Sequence, residues 1–588
     1  MRTTVTRLET GLCLALGALA QLVAASAGAQ ERNFSIDPPR IERATAQLLE
    51  KPTPLGNALV EIVMARGEKL PLQIPIFLER SEVLLRDDGM AGDRTGKDGI
   101  YSAILSLDVQ ALGRNQERVR KLLDRHGKLT MPIYRGRTLV ARAALPEDFL
   151  VPIRPGVRVP LEWWGFDVGI QSGKSLLIRD LSVVEDPERT YDPCSRTGTP
   201  MGKWTFGYLM TQLANPAYTG LDPADFTEQW VETFLSTQIV NGFDVIPRPQ
   251  FQNLVLDHWP KTPTGQLDLV KAPFKLLAIV NRVDLRGNSV YGGGGNAGEA
   301  RLVFGFAKCV AGVSTSVAPH LTVILEYGIK KSGCLQVRSW AQQWTALGDL
   351  VLGSSQYNDA LQAITDQFSL AGAAPSRPNQ SALNQLRTNG GMSDAFWQLR
   401  EFKLTGSGAA ISQLLPATVA QTPDSDVMPE FANVFSYPNP NALADYVNAH
   451  ESSIVADQHT VLLSFGGLPF RGASSSRHGV VYGWNSPLIT NREARHKFAL
   501  QTCNGCHFDE TATTMGAQQF FHILPVTNGP AALSGFMTGI DVTDPFDGAP
   551  IRHFDELERR AADLDGLVNN QCISSLDTRR LIPVSFAH

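Results

Sequence analysis

The stretch that most constrains this chain is Cys503-Asn504-Gly505-Cys506-His507. Two thiols separated by two residues fall within one helical turn, and an imidazole follows at once. That spacing lets both sulfurs reach the two vinyl groups of a porphyrin while the imidazole comes to lie under the iron. A zinc site would need further Cys or His at ligand spacing, and the sequence has no second such cysteine pair, Cys572 being far off. A thioredoxin-like site would need a neighbouring βαβ unit, and it leaves His507 without a task. One covalently attached haem c is therefore expected, on Cys503 and Cys506 with His507 as proximal ligand. A non-haem metal and thiol redox use are the competing readings.

Such an attachment belongs to an exported protein, and the amino terminus agrees. Arg2 and Arg7 precede an apolar run from Leu12 to Ala25, and Ala27-Gly28-Ala29 fits a small-residue cleavage site, so residues 1–29 read as a signal peptide cut before Gln30. The run is interrupted by Gln21 and is shorter than the roughly 20 residues needed to span a bilayer. The mature chain is expected in the periplasm or outside the cell, with no transmembrane segment. The 53 basic and 58 acidic residues of the full sequence include no long basic run, which argues against nucleic acid as a partner. Of seven cysteines, Cys13 leaves with the signal, and Cys194, Cys309, Cys334 and Cys572 remain beside the motif pair. In an oxidising compartment these four admit three pairings. Cys309 and Cys334 bracket an apparent hairpin, Leu302–Val310 with Leu321–Tyr327, so their pairing is expected, which leaves Cys194 for Cys572; four free thiols are the alternative.

At 588 residues the chain exceeds the roughly 250 to 300 that one core supports, so a multidomain protein is expected. Residues 30–161 alternate short apolar runs with turns, as in Leu72–Leu78, Glu82–Leu85, Ile100–Leu107 and Thr130–Tyr134, broken by a basic helical stretch near Asn115–His126. A β-sandwich is the natural reading. Within it Asp87, Asp88, Asp93 and Asp98 lie among glycines. They suit calcium as hard oxygen ligands, or equally a hairpin whose side chains cap their own backbone. The stretch from Arg86 to Tyr101 resembles the loop of immunoglobulin-like modules of exported bacterial proteins, which implies a module type and no activity.

Residues 162–489 read as a mixed α and β central domain. Phe226, Trp230 and Phe234 recur every four residues, which predicts a helix over Pro223 to Asn241. Phe274–Val283 reads as a strand, and helices are expected at Ser339–Leu350, Asn358–Gln367 and Asn441–Ala449. Gly292 to Gly295 precede a strand where a phosphate loop requires a helix, so they read as a hairpin turn. Ser474-Ser475-Ser476-Arg477-His478 lacks a nucleophile elbow, and Asp284 and Glu299 are single carboxylates, so no catalytic residue is assigned.

Residues 490–588 form the last unit. Thr490 and Glu493 fit a capping box for a helix from Asn491 to Thr502 that runs into the motif. Phe554, Leu557, Ala561 and Leu564 make the apolar stripe of a second helix, with Asp555–Arg559 and Glu556–Arg560 as exposed pairs. Two helices around the pentapeptide resemble the c-type cytochrome domain. The resemblance implies a mainly α haem domain with a distal Met or His: Met537, His522 or Met515, with His553, His496 or an open iron as the remaining choices. It further implies electron transfer with a redox partner protein or a small-molecule donor or acceptor. A peroxidase- or oxygenase-like enzyme and a surface binding protein are the alternatives. Elsewhere the runs Phe274 to Arg286 and Asn384 to Asn389 are similar to large uncharacterised exported bacterial proteins that end in such a segment, which implies no reaction.

Overall fold

The computed structural model describes residues 41–64, 73–78, 81–90, 93, 95–106, 130–135, 138–144, 158–160 and 572, and 170–568 apart from 287–296, 316–319, 351, 394–395, 430–436, 479–483, 514–519, 527–528, 547 and 549. The expected signal, the helical stretch near 115–126, the glycine loop 292–295 and Met515 lie outside these residues. Among the described residues no helix is long and apolar enough to cross a membrane.

The protein is mixed α and β, and its sheets are antiparallel. In the amino-terminal region six strands pair in the order Gln73–Leu78, Ser81–Arg86, Ile100–Leu105, Gly56–Met64, Ile41–Thr53 and Arg158–Pro160. Thr130–Arg135 and Thr138–Ala144 pair separately with each other.

A second, eight-stranded sheet organises the rest. Its order is Leu414–Ala417, Phe396–Leu404, Leu383–Ser393, Leu321–Gly328, Glu299–Phe306, Phe274–Arg282 and Leu177–Ile178, with Ser475–His478 also on the Phe396–Leu404 strand. Period-two alternation gives the sheet two unlike faces. On one, Leu302, Phe304, Val323, Leu325, Leu386 and Phe402 join Trp204, Phe206, Trp230, Trp340 and Trp344 from the surrounding helices in a single apolar core. On the other, Ala278, Val280 and Val303 meet residues of the carboxyl-terminal segment. A register shift between Leu276 and Ala278 lets the Phe274–Arg282 strand serve both, with Leu276 and Ile279 in the first core and Ala278 and Val280 in the second.

Along the second face runs a buried row of opposite charges. Arg301 pairs with Glu299 at 2.9 Å and Glu326 at 3.3 Å, and Arg387 pairs with Glu326 at 3.6 Å and Glu401 at 3.0 Å. Lys403 closes the row on Glu401 at 2.8 Å.

Several expectations need correction. The helix begun at Pro223 stops at Glu232, and Gln238–Val240 instead pairs with Phe243–Val245. Asn241 and Gly242 sit at φ 52° and 83°, the two left-handed positions that an Asn-Gly hairpin turn demands. The helix before the motif is Arg492–Gln501, and its cap is Asn491, whose Oδ1 accepts from the amides of Glu493 at 3.0 Å and Ala494 at 3.1 Å. The last helix, Glu556–Val568, buries the foreseen Ala561 and Leu564 in the main core. Its charged residues are not an exposed face, however. Glu556 and Arg560 are buried, and Arg559 reaches Glu556 and Asp284 at 2.7 and 3.0 Å and does not pair with Asp555.

The disulfides are Cys194–Cys309 and Cys334–Cys572, with Cα separations of 5.2 and 5.5 Å, and the expected Cys309–Cys334 and Cys194–Cys572 pairs do not form. After Phe306 the chain makes a ribbon of its own, Lys308–Val310 with Val313–Thr315, which carries Cys309 away from the sheet. Ser314 Oγ donates to Asp192 at 2.9 Å, which docks that ribbon beside Cys194. Cys334 opens the helix Cys334–Thr345, on which Glu556–Val568 packs, and so it meets Cys572.

Candidate functional site

The motif is held by the helix that delivers it. Thr502 caps the turn Cys503–Cys506 by accepting from the Gly505 amide at 3.0 Å, and the turn folds so tightly on the preceding helix that a Cβ at Gly505 would lie 1.9 Å from the Ala499 carbonyl oxygen. Only glycine fits there. The two sulfurs then face different neighbours: Cys503 packs with Trp397, Leu399, Val419 and Phe508, and Cys506 with Leu500, Phe536 and Met537. Both cysteines are buried and unbridged. Burial pushes the Cys503 thiol up to about 11 and holds the Cys506 thiol well above its usual value, which removes the thiolate that thiol redox chemistry requires.

His507 is fixed by the Phe520 carbonyl, which stands 2.7 Å from Nδ1. A carbonyl only accepts, so Nδ1 carries the proton and Nε2 keeps its lone pair. Burial holds the ring's pKa down to about 4, leaving it neutral at pH 7, the form that binds a metal. His522 lies against it, with ring centroids 4.3 Å apart. Its Nδ1 is 2.8 Å from Ser534 Oγ, and its Nε2 is 3.5 Å from Cys506 Sγ. The pentapeptide, His522 and Met537 are therefore together. His553 is exposed on Asp541 and His496 is held by Glu510, each at 2.5–2.7 Å.

Two site residues come from the central sheet and had no local signal. The Trp397 ring stands 5.3 Å from that of His507, and its indole N–H donates to Asn389 Oδ1. Because indole can only donate, the Asn389 amide is oriented, and its Nδ2 faces the Phe520 carbonyl at 3.4 Å. Asn is depleted in strand interiors, and its place in Leu383–Ser393 was the one available hint.

Two other clusters bring potential metal ligands within 4.8 Å of one another among the described residues, and neither includes a cysteine. In His496, Glu510 and Asp544, Arg495 pairs with both carboxylates, so a guanidinium already supplies the positive charge. In Asp87, Asp93 and Asp98, Asp87 accepts from the amides of Asp98 at 3.0 Å and Gly99 at 3.2 Å, and Asp93 from that of Gly89 at 2.6 Å. Asp88 turns away to Arg86 at 2.6 Å. Asp284 and Glu299 are buried in ion pairs with Arg282 and Arg301 at 3.0 and 2.9 Å.

Compared with known protein families, with curated proteins and with solved structures, the chain matches none.

Proposed function

We propose that this chain is an exported c-type haem protein that passes single electrons through one haem tethered by Cys503 and Cys506. In this reading an immunoglobulin-like module and a central α+β domain precede a cytochrome c-like segment. The observation that carries it is how the cysteines sort. Cys194, Cys309, Cys334 and Cys572 pair, whereas Cys503 and Cys506 lie one turn apart, buried and unbridged, beside two imidazoles. The four paired cysteines also favour an oxidising compartment. The donor set suits haem: two thiols for thioethers, and His507 with Nε2 directed by the Phe520 carbonyl. His522 is preferred over Met537 as distal ligand because Ser534 Oγ, 2.8 Å from its Nδ1, orients a buried imidazole beside Cys506, whereas Met537 fills the apolar cluster around that cysteine. The bound iron would supply reversible one-electron chemistry. The chain's part is to hold the His507 imidazole neutral and to exclude water with Trp397, Phe508 and Phe536. The exchanging partner is a redox protein or a small-molecule donor or acceptor. Zinc is disfavoured because, among the described residues, neither cysteine belongs to a converging ligand group.

The test is production of the full chain in an oxidising compartment together with haem-attachment machinery. One covalent haem by mass, with a low-spin spectrum that lacks the methionine charge-transfer band, is the expected result. A colourless protein without the added mass would refute the reading. A high-spin spectrum that shifts with carbon monoxide would transfer the site to the haem-enzyme alternative. In the amino-terminal module, the converging Asp87, Asp93 and Asp98 support calcium as a stabilising ion, to be checked as a rise in Tm with calcium that a chelator reverses and Asp87→Asn abolishes.

A further inference from the structure

On the aromatic face of the central sheet two guanidinium groups are buried side by side with no carboxylate between them. Arg248, which follows the Phe243–Val245 strand, and Arg400, on Phe396–Leu404, are 8% and 3% exposed. Arg400 Nε donates to Gln398 Oε1 at 2.8 Å, its Nη2 donates to the Ile246 carbonyl at 2.6 Å, and its guanidinium lies 4.6 Å from the centre of the Phe234 ring. These are neutral partners. Gln398 is locked in that orientation because its Nε2 donates to Ser474 Oγ at 3.0 Å.

Arg248 has still less. Its backbone is tied to Phe234 and Phe251, but its side chain makes no hydrogen bond or ion pair among the described residues. The guanidinium lies over Gly390, with Nη1 3.9 Å from where a Cβ would stand, so the missing side chain is what lets Arg248 approach the sheet. Burial and then repulsion from Arg400 hold Arg248 well below the usual arginine range, and burial alone brings Arg400 down to about 9. Arginine does not deprotonate at working pH, so the charge stays, and a buried charge with no counter-charge is strongly disfavoured.

Phe234 brings the two together, its carbonyl accepting from the Arg248 amide at 2.6 Å and its ring lying under the Arg400 guanidinium, and among the described residues neither cation has an acidic partner. We infer that Arg248 and Arg400 form a binding site for a doubly charged oxyanion of the phosphate class, whose oxygens can face both guanidinium forks at once. Arg400 is the braced member, fixed by Gln398, Ile246 and Phe234. Arg248 is the member whose remaining exposure leaves a way in. The site is independent of the haem reading, lying on the other face of the sheet.

The experiment is calorimetric titration of the full chain with inorganic phosphate at constant ionic strength in chloride buffer, with succinate as a parallel arm. Saturable one-to-one phosphate binding is expected, weakened at least tenfold in Arg248→Gln and in Arg400→Gln, with no saturable heat from succinate. A second measurement guards against misfolded variants. Arg248→Met should raise Tm in phosphate-free buffer, because it removes an uncompensated buried charge, and should abolish the rise in Tm that phosphate gives the parent protein. The proposal is overturned if phosphate gives no saturable heat, if succinate binds and phosphate does not, or if Arg248→Gln binds as the parent does. A lower Tm for Arg248→Met without phosphate would equally overturn it.

Discussion

The two faces of the central sheet are made by the same strands and solve opposite problems. One buries Trp230 among Phe206, Phe234 and Phe402, with ring centroids 6.0–6.3 Å apart, and attracts any apolar cover of the right volume. The other carries Glu299, Arg301, Glu326, Arg387 and Glu401, all buried, with the carboxyl-terminal segment packed on the apolar positions of the same face. Apolar contact is tolerant of exchange, whereas a buried ion pair fails when one member is lost. The first face therefore supplies stability, and the second decides what may dock there and in which register. The pentapeptide sits on the discriminating side, with Arg387 acting electrostatically on both Cys503 and His507.

Substitutions on the two sides should separate these roles. Trp230→Ala removes a fully buried ring and should cost ~3–5 kcal/mol in urea unfolding, with no second substitution restoring it. Where the last helix meets the end of the Phe274–Arg282 strand, Arg286 pairs with Asp563 at 2.8 Å, both buried. Arg286→Met alone takes the guanidinium away from the buried Asp563 carboxylate and should cost a comparable ~3–5 kcal/mol. Adding Asp563→Leu should return most of that loss. A double variant no better than the single would mean that the charges themselves are required and would erase the contrast with the aromatic face.

Glu401 gives the charged face a pH signature. Burial alone would raise its pKa, but Lys403 and Arg387 outweigh it and hold the carboxyl at about 2. A carboxylate depressed on folding contributes stability that is complete above its unfolded value of 4.5 and is lost as pH falls toward 2. The loss should be on the order of 3 kcal/mol. Unfolding measured at several pH values should show that slope in the parent and its absence in Glu401→Gln.

The same contrast explains what could be read from the residues. Apolar periodicity located the Phe274 strand and the helices near residues 339, 358 and 441, because packing at a tolerant face needs only pattern. It failed where one pattern serves two environments. Glu556 and Arg560 look alike in sequence whether buried or exposed, and only their place over Asp284 buries them. Aromatic spacing masked the Asn241-Gly242 turn, although that dipeptide between Val240 and Phe243 was a hairpin signal in plain view. Cysteine pairing followed the separate ribbon at Lys308–Thr315, whose shortness hid it. The pentapeptide stands out in the sequence because its spacing is local. Asn389 and Trp397 do not, since the sheet brings them to His507 from more than a hundred positions upstream.

The smallest of the expected effects tests whether the discriminating face depends on how its cover is delivered. Asn491 accepts from two otherwise unpaired amides at the start of Arg492–Gln501, and Asn491→Ala should cost about 1 kcal/mol of stability. The helix runs directly into the Thr502 cap and the Cys503–Cys506 turn, and Arg495 within it grips Glu510 and Asp544 on either side of the site. If the ion pairs alone set the register, the loss should appear in unfolding and leave the His507 surroundings unchanged. The indole fluorescence of Trp397 and the hydrogen exchange of the Phe520 amide would then match the parent. A change in either would show that the cap, and not only the charged row beneath, fixes where the pentapeptide lies.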